Sequence, residues 1–138
     1  MESAREKTCE EQINDSLENT ISYIREMWEV YIGQSPETDE ITEDSFHEYG
    51  LSLEYSSSED GEPGFFRYLL SWGGPSSEFR FFTDPDLCCY RIEYLFLDWF
   101  DGASRRLYDS DKDLMLEIFD MWRDCGTLEY LIEQSRDY

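Results

Sequence analysis

Positive charge is what this sequence has least of. Eleven lysines and arginines stand against 33 aspartates and glutamates in 138 residues, a formal net charge of −22. Such a deficit argues against direct contact with nucleic acid, whose phosphates would be repelled, and leaves basic surfaces as the natural partners. Histidine is represented by His47 alone. No second imidazole can join it at a metal, and no nucleophile motif lies beside it. Ser45 is two positions away, but a serine–histidine pair is recognised by geometry and not by nearness in sequence. Cys9, Cys88, Cys89 and Cys125 form no C-x-x-C pair and no metal-binding spacing. They read as free thiols, buried or half-buried like small hydrophobes. No stretch approaches the roughly 18 apolar residues of a membrane span, and the opening MESAREKTCEEQ lacks the apolar region of a secretory signal. These absences predict a cytoplasmic protein in a reducing compartment, with no cofactor and no metal.

Other motifs are incomplete. Asp109-x-Asp111-x-Asp113 resembles the start of a calcium loop, but Leu114 stands where the sharp turn needs glycine and Asp120 where a bidentate glutamate belongs. Helix capping by Asp109 or Ser110 explains these residues better. Gly73-Gly74-Pro75 is followed by no lysine or helix of a phosphate loop, and reads as a turn. Carboxylate pairs suited to glycoside hydrolysis arise by chance in so acidic a chain. The sequence therefore predicts a protein that is not an enzyme.

What is present is a core. The chain is 40% hydrophobic and 17% aromatic, too much for a disordered polyanion, and its length suits one domain spanning residues 1–138, with 1–9 polar and flexible. Ile13, Leu17, Ile21, Ile24, Trp28 and Tyr31 recur at steps of three and four, which predicts an amphipathic helix from about Glu10 to Ile32, stopped by Gly33 and Pro36. An acidic connection, Gln34–Glu48, follows, in which Thr42 and Ser45 start a short helical turn anchored by Phe46. Alternation then predicts four strands: Tyr49–Ser56, Phe65–Trp72, Glu78–Thr83 and Cys89–Trp99, separated by turns at Ser57–Gly64, Gly73–Ser76 and Asp84–Asp86. Phe100–Ser104 turns the chain away. A helix follows, with Leu114, Ile118, Met121 or Trp122, and Cys125 inward, then a short one with Leu128, Leu131 and Ile132 inward. The expected fold is α+β: a four-stranded antiparallel sheet with the long N-terminal helix and one or two C-terminal helices on one face. Arg67, Arg80 and Arg91 alternate with aromatics in these strands and are expected to pair with Glu54, Glu78 and Glu93 across strands, or, on a functional reading, to form a small polar pocket.

The negative charge is uneven. Residues 1–62 hold 18 acidic and three basic residues, a net −15, against −7 for the remainder. On the first helix Glu11, Asp15 and Glu18 are spaced by four and three, which sets them along one face at intervals of about 5–6 Å, near the spacing of phosphates along one strand. The connection adds Glu37, Asp39, Glu40, Glu43 and Asp44. A groove lined with lysine and arginine would accept such an array in place of DNA, with fast, salt-sensitive capture.

The run YGLSLEY…GFFRYLLSWGGPSSEFRFFTD…CYRIEYLFLDWFDGASRRL, about residues 49–107, resembles small acidic proteins encoded on plasmids and other mobile elements. The resemblance implies a setting in the anti-defence islands of phages and plasmids, where anti-CRISPR and antirestriction proteins occur, several of them acidic DNA mimics. It supplies no site residue, and the acids of the first helix lie outside it. The expected function is that of an acidic DNA mimic, which occupies the nucleic-acid-binding groove of a bacterial defence complex, a CRISPR effector or else a restriction enzyme. The partner would be a basic nucleic-acid-binding protein or ribonucleoprotein complex. Two rivals remain: an immunity protein that neutralises a basic nuclease toxin, and an enzyme acting on a defence component through the sheet arginines.

Overall fold

The computed structural model describes residues 8–57, 64–72, 75–98 and 101–136. The order of elements is α1 (Cys9–Tyr31), α2 (Ser45–Tyr49), β1 (Ser52–Ser56), β2 (Phe65–Ser71), β3 (Ser76–Thr83), β4 (Cys89–Asp98), β5 (Asp101–Arg106), α3 (Asp109–Asp124) and α4 (Thr127–Arg136). The strands form one antiparallel sheet in sequence order, β1-β2-β3-β4-β5. Aromatic and aliphatic side chains alternate on the three middle strands because successive strand residues point to opposite faces. Phe66 and Tyr68, Phe79 and Phe81, and Ile92, Tyr94 and Phe96 are buried on the same side. Onto that side α1 brings Ile13, Ile24 and Met27, and α3 brings Met115, Ile118 and Phe119. Phe119 stacks on Phe81 at 5.3 Å between ring centres and meets Phe66 edge-on at 5.9 Å. α1 lies over β4 and β5, and α4 lies against β1.

The sheet has five strands where four are expected. The Phe100–Ser104 stretch is expected to turn the chain away, but from Asp101 it belongs to β5, which pairs with β4, with Ala103 opposite Phe96 and Arg105 opposite Tyr94. Its sequence, DGASRR, offers no apolar alternation and contains glycine, so its strand character comes from pairing and not from propensity. β1 starts later than expected because Tyr49 ends α2. Residues 58–63, 73–74 and 99–100 lie outside the described residues, and with them most of the Ser57–Gly64 turn, the two glycines of the Gly73–Ser76 turn, and Trp99. The flexible N-terminus expected over 1–9 is corrected at its end. Thr8 caps α1, accepting the Glu11 N–H at 3.2 Å, and Cys9 is buried.

Two further expectations change. α3 has Tyr108 at its N-cap with no side-chain cap, so neither Asp109 nor Ser110 caps it. Cys125 sits at the C-cap of α3 and is exposed, as is Cys88, while Cys9 and Cys89 are buried and half-buried. Met115 and Phe119 complete the inner stripe instead.

Candidate functional site

α1 is held from both ends of β5. Asp101 Oδ2 accepts the Cys9 N–H at 2.7 Å, which satisfies an orphan donor at the positive end of the helix. That bond holds the Asp101 carboxyl below the usual carboxylate range. Arg105 reaches the same helix, donating to Glu10 Oε1 at 2.6 Å and Asn14 Oδ1 at 3.0 Å. Further along, the Tyr94 hydroxyl meets Ser16 Oγ at 2.7 Å, and the Trp28 indole donates to Glu117 Oε2 at 3.3 Å. With its inner side fixed, α1 turns Glu11, Asp15, Glu18 and Glu26 outward, all exposed, and ends the row at half-buried Glu29. By helical rise that row is about 27 Å long. Arg25 interrupts the row and is drawn sideways to α3, with Ser110 O at 3.3 Å and Asp111 at 3.9 Å.

The acidic connection is built, not loose. Gly33, at φ +81°, closes α1: its N–H reaches Val30 O at 3.1 Å and the Gln34 N–H reaches Glu29 O at 2.8 Å, the paired bonds of a Schellman stop, which needs a left-handed residue. Thr38 Oγ1 accepts the N–H of Ile41 at 2.9 Å and of Glu40 at 3.3 Å, and the Thr38 N–H returns to Ile41 O at 2.8 Å. Buried Ile41 and Phe46 pin the two halves of the connection, Phe46 against Trp28 and Tyr31. An open groove of about 570 Å³ results between α1 and the connection, walled by Glu26, Glu29, Asp39 and Glu40 over Val30 and Ile41.

The structure thus joins Asp39 and Glu40 to the far end of the α1 row, through Glu26 and Glu29. Those two belong to the row by spacing but stand outside the eight expected contact residues. Glu11, Asp15 and Glu18 occupy its near half. Glu37, Glu43 and Asp44 are exposed on the connection and are not among the described residues that line the groove. Asp15, Glu18, Glu37, Asp39, Glu40, Glu43 and Asp44 make no ion pair among the described residues. Glu11 accepts the Thr8 hydroxyl at 3.1 Å.

The sheet face turned away from the helices carries the arginines. Glu54, Arg67, Arg80, Glu93 and Arg106 stand in register across all five strands. Arg67 and Arg80 are directly opposite, a repulsive placement, and each turns to its own carboxylate. Arg67 reaches Glu54 across strands at 2.8 Å, whereas Arg80 binds Glu78 on its own strand at 2.7 Å. Arg91 likewise takes Glu93 along the strand at 2.9 Å, off the hydrogen-bonding line, so its Nε has charge compensation without a hydrogen bond. The expected cross-strand pairing therefore holds for one of the three. Arg80 and Arg91 also cover the rings of Phe65 and Phe82, at 4.8 and 4.1 Å.

His47 is exposed and meets Tyr31 edge-on at 4.7 Å. Asp111 pairs with Arg25, and among the described residues no group of His, Cys, Asp and Glu is placed to hold a metal ion. No helix among the described residues is long and apolar enough to cross a membrane. Compared with known proteins, the chain matches no family model, no curated protein and no solved structure.

Proposed function

We propose that the protein is an acidic DNA mimic that binds the cationic groove of a nucleic-acid-binding protein and excludes DNA from it. The observation that carries this reading is the outward row of α1 continued into Asp39 and Glu40. Its carboxylates sit on a helix bonded to the sheet and a connection closed by its own hydrogen bonds. A fixed array of this kind loses little side-chain and backbone freedom on binding compared with a disordered polyanion. The contact residues are Glu11, Asp15, Glu18, Glu37, Asp39, Glu40, Glu43 and Asp44, to which we add Glu26 and Glu29. In the setting implied by the resemblance, the target is a CRISPR effector or a restriction enzyme of the host.

The test is competition. With a purified effector and labelled DNA, the protein should displace DNA, and its apparent affinity should fall steeply with salt because exposed charges are screened within about 10 Å at 0.1 M. Changing Asp15, Glu18, Glu26, Glu29, Asp39 and Glu40 to amides should weaken displacement at least about tenfold and leave the circular dichroism spectrum intact. Simultaneous binding of DNA and protein to each effector tried would end the proposal, as would full potency of the amide variant.

A further inference from the structure

Four aromatic residues with polar atoms point to a second site. Two of them, Tyr94 and Trp28, have their hydroxyl and indole N–H satisfied by Ser16 and Glu117. The other two, Tyr68 and Trp122, are buried as residues, at 5% and 9% exposure, yet their O–H and N–H have no hydrogen-bond partner among the described residues and are not sealed from solvent, Arg91 Nε being the one sealed and unpartnered side-chain atom there. Buried tyrosine and tryptophan find a partner in the protein or in water, and these two groups are left free to take water or a ligand. Both line one cavity of about 450 Å³, between the end of α1, α2, β1 and the end of α3. The hydroxyl end of Tyr68 lies against Gly50 on the same wall, so close that a methyl there would stand 2.7 Å from the oxygen. Tyr31 and His47 add further rings to the wall. Burial pushes the Tyr68 phenol up, so it stays a neutral donor and acceptor.

The wall also sets the ligand's charge. Among the described residues it contains no Asp, Glu, Lys or Arg, in a chain of which 32% is charged. An anion would find no base there and would meet the field of a −22 protein. A simple cation would offer no acceptor to the indole N–H. We infer that this cavity binds a small, uncharged, planar molecule carrying a hydrogen-bond acceptor, of phenol or lactam type, stacked among the rings and held by Trp122 Nε1 and the Tyr68 hydroxyl. The size lies in the range of small-molecule sites. This site is separate from the acidic row and does not depend on the function proposed above.

The probes are p-cresol and 2-pyridone, with 4-hydroxybenzoate as the anionic counterpart. In nitrogen–proton NMR spectra, with indole signals assigned by tryptophan-to-phenylalanine variants, both neutral probes should shift the Trp122 signal saturably and leave that of Trp28 in place. The benzoate should bind at least about tenfold more weakly. Y68F removes a hydroxyl with no protein partner, so it should fold normally and lose about fivefold in probe affinity. Independently, Cys125 is exposed and lies on the cavity wall. Its alkylation with iodoacetamide, in a C88S background, should abolish probe binding in folded protein. A Trp122 signal that fails to saturate with either neutral probe would show that the cavity holds only water and overturn the inference. Unchanged affinity in both Y68F and the alkylated protein would overturn it too.

Discussion

Glu78 is the most exacting single residue of the sheet. The residue is 4% exposed, and its carboxylate is compensated by Arg80 at 2.7 Å. Removing one member of such a pair leaves the other charged and desolvated. R80A should therefore cost about 3–5 kcal/mol in urea unfolding, far more than R67A, whose partner Glu54 is exposed. Equal effects of the two variants would show that the burial of Glu78 does not set the cost of losing its partner. Buried acids of the weak kind set the alkaline limit. Burial raises the phenols of Tyr68 and Tyr49 and the thiol of Cys9, and pushes Cys89 up to about 11. A group whose folded value lies above its unfolded one contributes stability that is complete below the unfolded value, about 9 for a thiol and 10 for a phenol, and lost as pH rises through the folded value. Unfolding midpoints should thus decline from about pH 9 upward. A flat profile to pH 11 would contradict the burial of these groups.

Among the elements, β5 positions α1. Asp101 and Arg105 tie its two ends to the first turns of α1. R105A should cost about 1 kcal/mol, since Glu10 is well exposed. It should also speed amide exchange in the first two turns of α1 while β2–β4 keep their protection. Uniform protection would mean that the hydrophobic stripe alone fixes the helix. β5 is also the element that the sequence conceals. The stripe from Ile13 to Tyr31 and the alternation in FFRYLL or CYRIEYLF are periodic signals, because one face of each meets the core. DGASRR has no such face: its inner positions hold Ala103 and Arg105, one small and one bonded to α1. The groove was legible only in part for a similar reason. Asp39 and Glu40 reach Glu26 and Glu29 because Gly33 reverses the chain and Ile41 packs back on α1, and charge counts carry no such folding-back. The sheet arginines share one face and take the glutamates that the sequence offers, but which glutamate lies across a strand and which along it depends on register and rotamers that spacing does not encode.

For the whole molecule, net charge opposes compaction. Of the arginines, Arg67, Arg80, Arg91, Arg105 and Arg123 are all drawn into ion pairs, which leaves the acidic excess largely on the helical side and the connection. Screening should relieve it. Raising NaCl from about 0.05 M to about 0.5 M should raise the thermal midpoint, each kcal/mol of repulsion removed being worth roughly 3–5 °C for a chain of this size. A midpoint that falls would mean that the ion pairs outweigh the repulsion.

The strict sequential order of the strands has a consequence for how the molecule comes into being. Every rung of the sheet joins segments that leave the ribosome one after another, so the meander can assemble hairpin by hairpin at modest loop-closure cost. α1 emerges before all of it, yet its Cys9 N–H awaits Asp101, 92 positions later. During synthesis the most acidic third of the polypeptide must therefore wait without its platform, its charge keeping it in solution, and the array becomes rigid only when the last strand arrives.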